Sequence, residues 1–150
     1  MQALMETPPG RSGTPLWFWS MAAFGLLWNL YGVYQFAGSL GATTQSLVAA
    51  GMTPAQAEVY LALPAWISTV FAVGVLGGLV GSLALLARRR WAAPLFTASL
   101  VGYALLLAGD AYHGVFDSMP SQLAILAFVV LVAVGLLMTT RLASRRGLLD

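Results

Sequence analysis

The run AWISTVFAVGVLGGLVGSLALLARRR, residues 65–90, decides the fold of this chain. Residues 65–87 carry no charged side chain, and about 20 such residues suffice for a helix to cross a hydrocarbon core about 30 Å thick. The residues that follow, 88–90, are all arginine. Since arginine-rich loops beside a span stay in the cytoplasm, we expect this segment to be a transmembrane helix that ends at the cytoplasmic face.

Three further apolar stretches of similar length occupy residues 16–38, 92–113 and 121–140. Because each crossing changes side, four crossings would place residues 88–90 on the same face as both termini. All seven cationic residues then fall on that face: Arg11, Arg88, Arg89, Arg90, Arg141, Arg145 and Arg146. We therefore predict an all-α membrane protein, a bundle of four transmembrane helices with both termini cytoplasmic.

The composition favours one membrane domain over a soluble one. Of the 150 residues, 59% are hydrophobic and only 8% are charged, and the mean hydropathy is +0.83. We divide the chain into a flexible cytoplasmic tail at residues 1–15, a transmembrane domain at 16–140 and a basic cytoplasmic tail at 141–150. The first apolar stretch is longer than the core of a signal peptide, so we expect it to be retained.

The net charge of +2 comes from arginines that lie next to the ends of the apolar stretches. There they set topology and contact lipid headgroups, so we expect the lipid bilayer rather than nucleic acid as the partner. The sequence contains no cysteine, which excludes disulfides and thiolate metal sites.

The first outer loop, residues 39–64, contains a helix signal. Thr53 can cap the helix, Pro54 suits its first position, and Gln56 completes a capping box. We predict a short amphipathic helix on the outer membrane surface. Two interpretations stay open: the helix covers a cavity between the spans, or it is a plain connector.

Small residues recur at intervals of four along the second stretch, where they allow close packing of helices in lipid. These residues are Gly74, Gly77, Gly78, Gly81 and Ser82. We expect this helix to lie at the centre of the bundle. Its partner is either the first stretch, through Ala22, Gly25 and Gly32, or a second copy of the chain.

Polar residues inside the apolar stretches are the candidates for function, because they are costly in lipid. The predicted polar pocket comprises Asn29, Tyr31, Gln35, Tyr103, Asp110 and His113. Asn29 either forms an interhelical hydrogen bond or contacts a ligand. Asn29 and Gln35 are about 120° apart around a helix, so a pocket that uses both must lie between two neighbouring helices.

The sequence predicts no catalytic residue, metal or cofactor. The single histidine with loosely spaced acids matches no metal's ligand pattern, and no serine is placed as an activated nucleophile. Small multidrug exporters also have four spans, but they use a carboxylate in the first span, and residues 16–38 contain no acid.

Three runs carry a resemblance to a known group: LWNLYGV at 27–33, LPAW at 63–66 and FAVGVLGG at 71–78. Together they resemble small four-span bacterial inner-membrane proteins, some of which are labelled sugar transporters. The resemblance implies four spans, a bacterial inner membrane and, as a substrate, a sugar. The chain departs from it at residues 110–113, so no site residue is carried over there.

Two hypotheses for function follow. In the first, the chain is an accessory or structural subunit whose glycine-rich helix packs against a second copy, as a homodimer, or against a larger membrane complex. In the second, it binds or transports a small solute, a sugar for example, through an outward-facing pocket.

Overall fold

The structure is a computed structural model that describes residues 13–150, and within that range all regular elements are helices. Arg11 and most of the predicted tail at 1–15 lie outside the described residues. The four long helices are α1 (Leu16–Leu40), α4 (Ala65–Leu86), α5 (Ala92–Tyr112) and α7 (Pro120–Arg145). The three short ones are α2 (Thr44–Ala49), α3 (Pro54–Leu61) and α6 (Val115–Ser118).

Three of the long helices, α4, α5 and α7, are long and apolar enough to cross a membrane. They indicate a membrane protein. The 25-residue α1 is not among the three, because tryptophan, tyrosine and amide side chains lower its mean hydropathy.

Capping boxes begin both short helices of the loop between α1 and α4. The helix predicted after Thr53 is present as α3, where Thr53 and Gln56 each accept from the other's backbone N–H. The sequence prediction missed α2, whose box pairs Thr43 with Ser46 instead of a glutamate or glutamine. Gln56 also donates to the Ser118 carbonyl oxygen at 2.9 Å, which ties α3 to α6.

Helix α4 lies between α1 and α5 and runs antiparallel to both. On the α5 side the two backbones touch: a Cβ on Gly102 would lie 2.8 Å from the Gly74 backbone nitrogen. The Ser99 hydroxyl donates to the Gly74 carbonyl oxygen at 2.5 Å across the same contact. The glycines of α4 that face α5 are Gly74, Gly77 and Gly81.

On the α1 side, Gly78 makes room for a polar side chain. A Cβ on Gly78 would overlap the side-chain oxygen of Asn29. Gly25 and Gly32 of α1 also face α4, where an added Cβ would lie 3.1 Å from a side-chain atom in each case. The small residues of α4 therefore pack against α1 and α5 of the same chain.

The buried apolar residues form two clusters along the helices. One lies at the arginine end, the end that carries residues 88–90, and includes Phe18, Leu85, Phe96, Leu136 and Leu149. The other lies toward the opposite end and includes Ile67, Val75, Tyr103, Leu106 and Leu126.

The segment after α7 packs against the arginine turn. The Arg90 N–H donates to the Asp150 carbonyl oxygen at 2.9 Å, and the Asp150 N–H donates to the Arg88 carbonyl oxygen at 2.6 Å. The Arg88 Nε donates to the Leu148 carbonyl oxygen at 2.8 Å. Leu149 between them is 2% exposed. Residues 141–150, predicted as a basic tail, thus continue α7 to Arg145 and then bind the α4–α5 turn.

The contact between Gly78 and Asn29 predicts that an added methyl group destabilises the protein at position 78 but not at position 135. Gly78→Ala should destabilise the protein by about 1–3 kcal/mol, because the methyl overlaps the Asn29 oxygen. Gly135→Ala is the control, since nothing lies within 4 Å of its Cβ position. That control should stabilise α7 by up to about 1 kcal/mol through helix propensity. Thermal unfolding in one detergent measures both.

The pair Asn29→Ala with Gly78→Ala completes the test. Gly78→Ala should destabilise the protein less in the Asn29→Ala background than in the unmodified protein, by an interaction energy of about 1 kcal/mol. Purely additive effects would contradict the contact.

Candidate ligand-binding cavities

A cavity of about 190 Å³ opens where the ends of α1, α4, α5 and α7 meet α3, and we call it the carboxylate cavity. Apolar side chains of the long helices form much of its wall, including Ile67, Phe71 and Leu126. Its polar lining consists of Ser39, Tyr60, Ser68, Asp110 and Gln122.

Asp110 is the buried acid of this cavity. It is 4% exposed, and its Oδ1 has no hydrogen-bond partner. His113, predicted to pair with it, is exposed and places its ring 6.2 Å from Trp66 and 5.1 Å from Tyr112. A carboxylate oxygen that is removed from water without a partner costs free energy, so this side chain is primed to accept a donor from a ligand.

Tyr60 of α3 faces the same cavity from the loop. Burial raises the pKa of its hydroxyl above the ordinary value of 10.0, a hydrogen bond with Ser39 lowers it, and the Asp110 charge raises it further. The hydroxyl is therefore protonated at neutral pH and can donate or accept a hydrogen bond.

A second cavity of about 330 Å³ lies between α1 and α7, and we call it the aromatic cavity. α1 and α7 touch at Gly25 and Leu136 and through the rings of Trp28 and Phe128, whose centroids are 5.5 Å apart. The aromatic cavity begins beyond this contact. Its lining consists of Trp28, Tyr31, Gly32, Gln35, Phe71, Val75, Tyr103, Gln122, Ile125, Leu126 and Val129.

The two cavities are neighbours that share wall residues. Phe71, Gln122 and Leu126 line both of them. Gln122 in the first turn of α7 therefore presents its amide to both spaces. A molecule longer than either cavity could extend from the carboxylate of Asp110 to the aromatic side chains.

The structure divides the predicted polar pocket into three parts. Tyr31, Gln35 and Tyr103 line the aromatic cavity, and Asp110 lines the carboxylate cavity. Asn29 and the exposed His113 line neither one. The Asn29 amide donates to the Gly25 carbonyl oxygen at 2.8 Å and to the Ser82 hydroxyl at 3.3 Å.

The geometry therefore assigns Asn29 an interhelical role. The predicted angular separation of Asn29 and Gln35 accounts for the difference, because one faces α4 and the other faces the space between α1 and α7. Sequence reasoning missed Gln122, although it is an amide in the first turn of an otherwise apolar helix. It also missed the Ser39, Tyr60 and Ser68 contributions, which depend on how the loop folds back.

No protein family matches the chain, and neither a curated protein nor a solved structure matches it. The resemblance of residues 27–33, 63–66 and 71–78 to small four-span proteins stays a prediction.

The groups that line the cavities can contact a ligand. Among residues 13–150, no three histidine or acidic side chains converge as metal ligands. What the cavities offer is one desolvated carboxylate, neutral hydroxyl and amide groups, and aromatic faces. Such a set orients a ligand by hydrogen bonds and apolar contact.

The unpartnered oxygen predicts that Asp110 lowers the stability of the ligand-free protein. Asp110→Asn should raise the stability by about 1–2 kcal/mol, because it removes a buried charge without changing the side-chain shape. Asp117→Asn, at an exposed acid of α6, should leave the stability within about 0.5 kcal/mol. Unfolding in detergent without added ligand measures the two, and a destabilised Asp110→Asn would show that the carboxylate has a partner in the protein.

Proposed function

We propose that this chain is a four-span protein of the bacterial inner membrane, with both termini cytoplasmic, and that it binds a small polar solute in an outward-facing site. The observation that carries the proposal is Asp110, a carboxylate that is buried in the wall of a cavity with an unpartnered oxygen. Buried polar groups in proteins are normally paired, so an oxygen with no partner in the chain calls for one from outside it, and a ligand in the cavity would provide that partner.

Helix α1 is the proposed fourth span. At 25 residues it is about 37 Å long, which exceeds a hydrocarbon core of about 30 Å. It carries no charged residue, and large apolar side chains such as Leu27, 68% exposed, face outward where lipid would cover them. Its antiparallel packing against α4 suits two spans joined by an outer loop.

The distribution of arginine supports the proposed orientation. Residues 88–90 follow α4, and Arg145 ends α7 at the same end of the helices. Asp110 and α3 lie at the opposite end, so a cytoplasmic arginine end directs the carboxylate cavity outward. The bacterial inner membrane and a sugar as solute depend on the sequence resemblance.

Binding, rather than conduction, is the activity that we propose. Toward the arginine end, the helices are packed around Phe18, Leu85, Phe96 and Leu136, each 2% exposed or less. This cluster separates the cavities from the proposed cytoplasmic face.

The contacts of the α4 glycines are the reason that we place the accessory-subunit hypothesis second. The glycines of α4 contact α1 and α5 of the same chain, so they do not present a free face to a second copy or a larger complex. Their role as a partner interface stays a prediction, and the mass of the gently extracted protein tests it.

The topology can be tested by cysteine labelling, since the sequence contains no cysteine. In whole cells, a membrane-impermeant maleimide should label Asp117→Cys, and it should label Ser144→Cys only after the membrane is permeabilised. Both positions are exposed. Positions 117 and 144 lie near opposite ends of α7, so labelling of both from the same side would contradict a crossing by α7 and therefore the proposed four-span topology.

Solute binding can be tested by identifying what stays bound after gentle extraction. Mass spectrometry should find a small molecule with the unmodified protein. Ser68→Leu should remove it, because Ser68 lines the carboxylate cavity. Thr69→Leu is the matched control, at an exposed neighbouring position outside that lining. Equal retention by both variants, or co-extracted protein subunits in place of a solute, would count against the proposal.

A further inference from the structure

We infer that the carboxylate cavity and the aromatic cavity together form one site for an amphipathic organic cation. The cationic head of the ligand contacts Asp110, and its apolar part lies among the aromatic side chains between α1 and α7. This inference rests on the proposed binding function and names the ligand class.

The first argument is that a buried oxygen of the Asp110 carboxylate lacks a partner. Its Oδ1 has no hydrogen-bond partner, and 4% of the residue is exposed. The arginines of the described chain lie at the other end of the helices, about 27 Å away along α5. His113, one turn along, turns its ring toward Trp66 at the surface. His113 is near enough to act electrostatically on the carboxylate but makes no hydrogen bond to Oδ1, so a cationic ligand would supply the charged partner that this oxygen lacks.

The second argument is the lining of both cavities. No lysine, arginine or histidine is among the lining residues of either one. A cavity whose single charged side chain is negative attracts cations and repels anions. The neutral hydroxyl of Tyr60 and the amide of Gln122 leave that charge uncompensated.

The third argument is the neighbouring aromatic surface. Trp28, Tyr31, Phe71 and Tyr103 line the aromatic cavity, and Phe71 lines both. Aromatic rings accept apolar groups on their faces and also attract cations. A ligand with an ammonium group joined to an apolar body thus matches both cavities: the ammonium group contacts the carboxylate in one, and the apolar body contacts the aromatic rings in the other.

Other ligand classes fit the same residues less well. A hard metal ion requires several oxygen ligands, and no group of three or more acidic or histidine side chains forms within residues 13–150. A neutral polyol can donate a hydrogen bond to Asp110, but it leaves the buried negative charge uncompensated. The volumes of about 190 Å³ and 330 Å³ suit a molecule with a head group and a single ring.

The test uses three probes of matched shape: the 2-phenylethylammonium cation, neutral 2-phenylethanol and the phenylacetate anion. Binding to the full chain in nanodiscs is followed by calorimetry and by tryptophan fluorescence. The cation should bind about tenfold or more tightly than the alcohol, as a charge-assisted hydrogen bond requires. The anion should bind more weakly than the alcohol.

The variants assign that preference to one carboxylate. Asp110→Asn should abolish the advantage of the cation over the alcohol, whereas Asp110→Glu, which keeps the charge, should retain part of it. Asp117→Asn, at an exposed acid, should retain all of it. Thermal unfolding of each variant establishes that it is folded before affinities are compared.

Two results would overturn the inference: equal affinities for the cation and the alcohol, or a cation preference that survives Asp110→Asn. If both probes bind equally and Ser68→Leu weakens both, the cavity binds solutes without charge selection, and the proposed function stands alone. If no probe binds and Ser68→Leu leaves the retained solute unchanged, both proposals fail.

Discussion

The backbone contact between α4 and α5 is the constraint on which the rest of the structure depends. Gly74 and Gly102 allow the two helices to touch, and the Ser99 hydroxyl donates across the contact. In lipid, apolar side chains gain little by associating, so close contact between backbones supplies much of the attraction. This contact sets the position of α5 and therefore of Tyr103 and Asp110, which line the two cavities.

Two of the buried polar residues of the long helices, Asn29 and Asp110, show that a polar residue in an apolar stretch can have either of two roles. Both are in apolar stretches and both are buried. The Asn29 Nδ2 group donates to Gly25 of its own helix and to Ser82 of α4, so it strengthens the α1–α4 contact, and Asn29 lines neither cavity. The Asp110 Oδ1 has no partner and borders a cavity. Hydrogen-bond satisfaction, which only the tertiary structure reveals, separates the two roles.

Much of the fold could be predicted because its signals are local. Hydropathy and length located the long helices, and the Thr53 capping box located the start of α3. The site was less predictable, since its walls come from distant segments: Tyr60 enters from the loop and Gln122 from α7. The pairing of residues 148–150 with the arginine turn is likewise non-local. It is made by backbone groups, which every residue has, so the sequence gives no sign of it.

That pairing also has a consequence for biosynthesis. A ribosome makes Leu148 to Asp150 only after α7, so the arginine turn lacks its partners in residues 148–150 until α4, α5 and α7 have all been made. During that interval the guanidinium groups of Arg88 and Arg90 are free to contact phospholipid headgroups. When the later segment arrives, their Nε atoms turn to carbonyl oxygens of Leu148 and Leu149. The hydrogen bonds from Arg88 and Arg90 thus join the end of the chain to the α4–α5 turn only in the last step of synthesis.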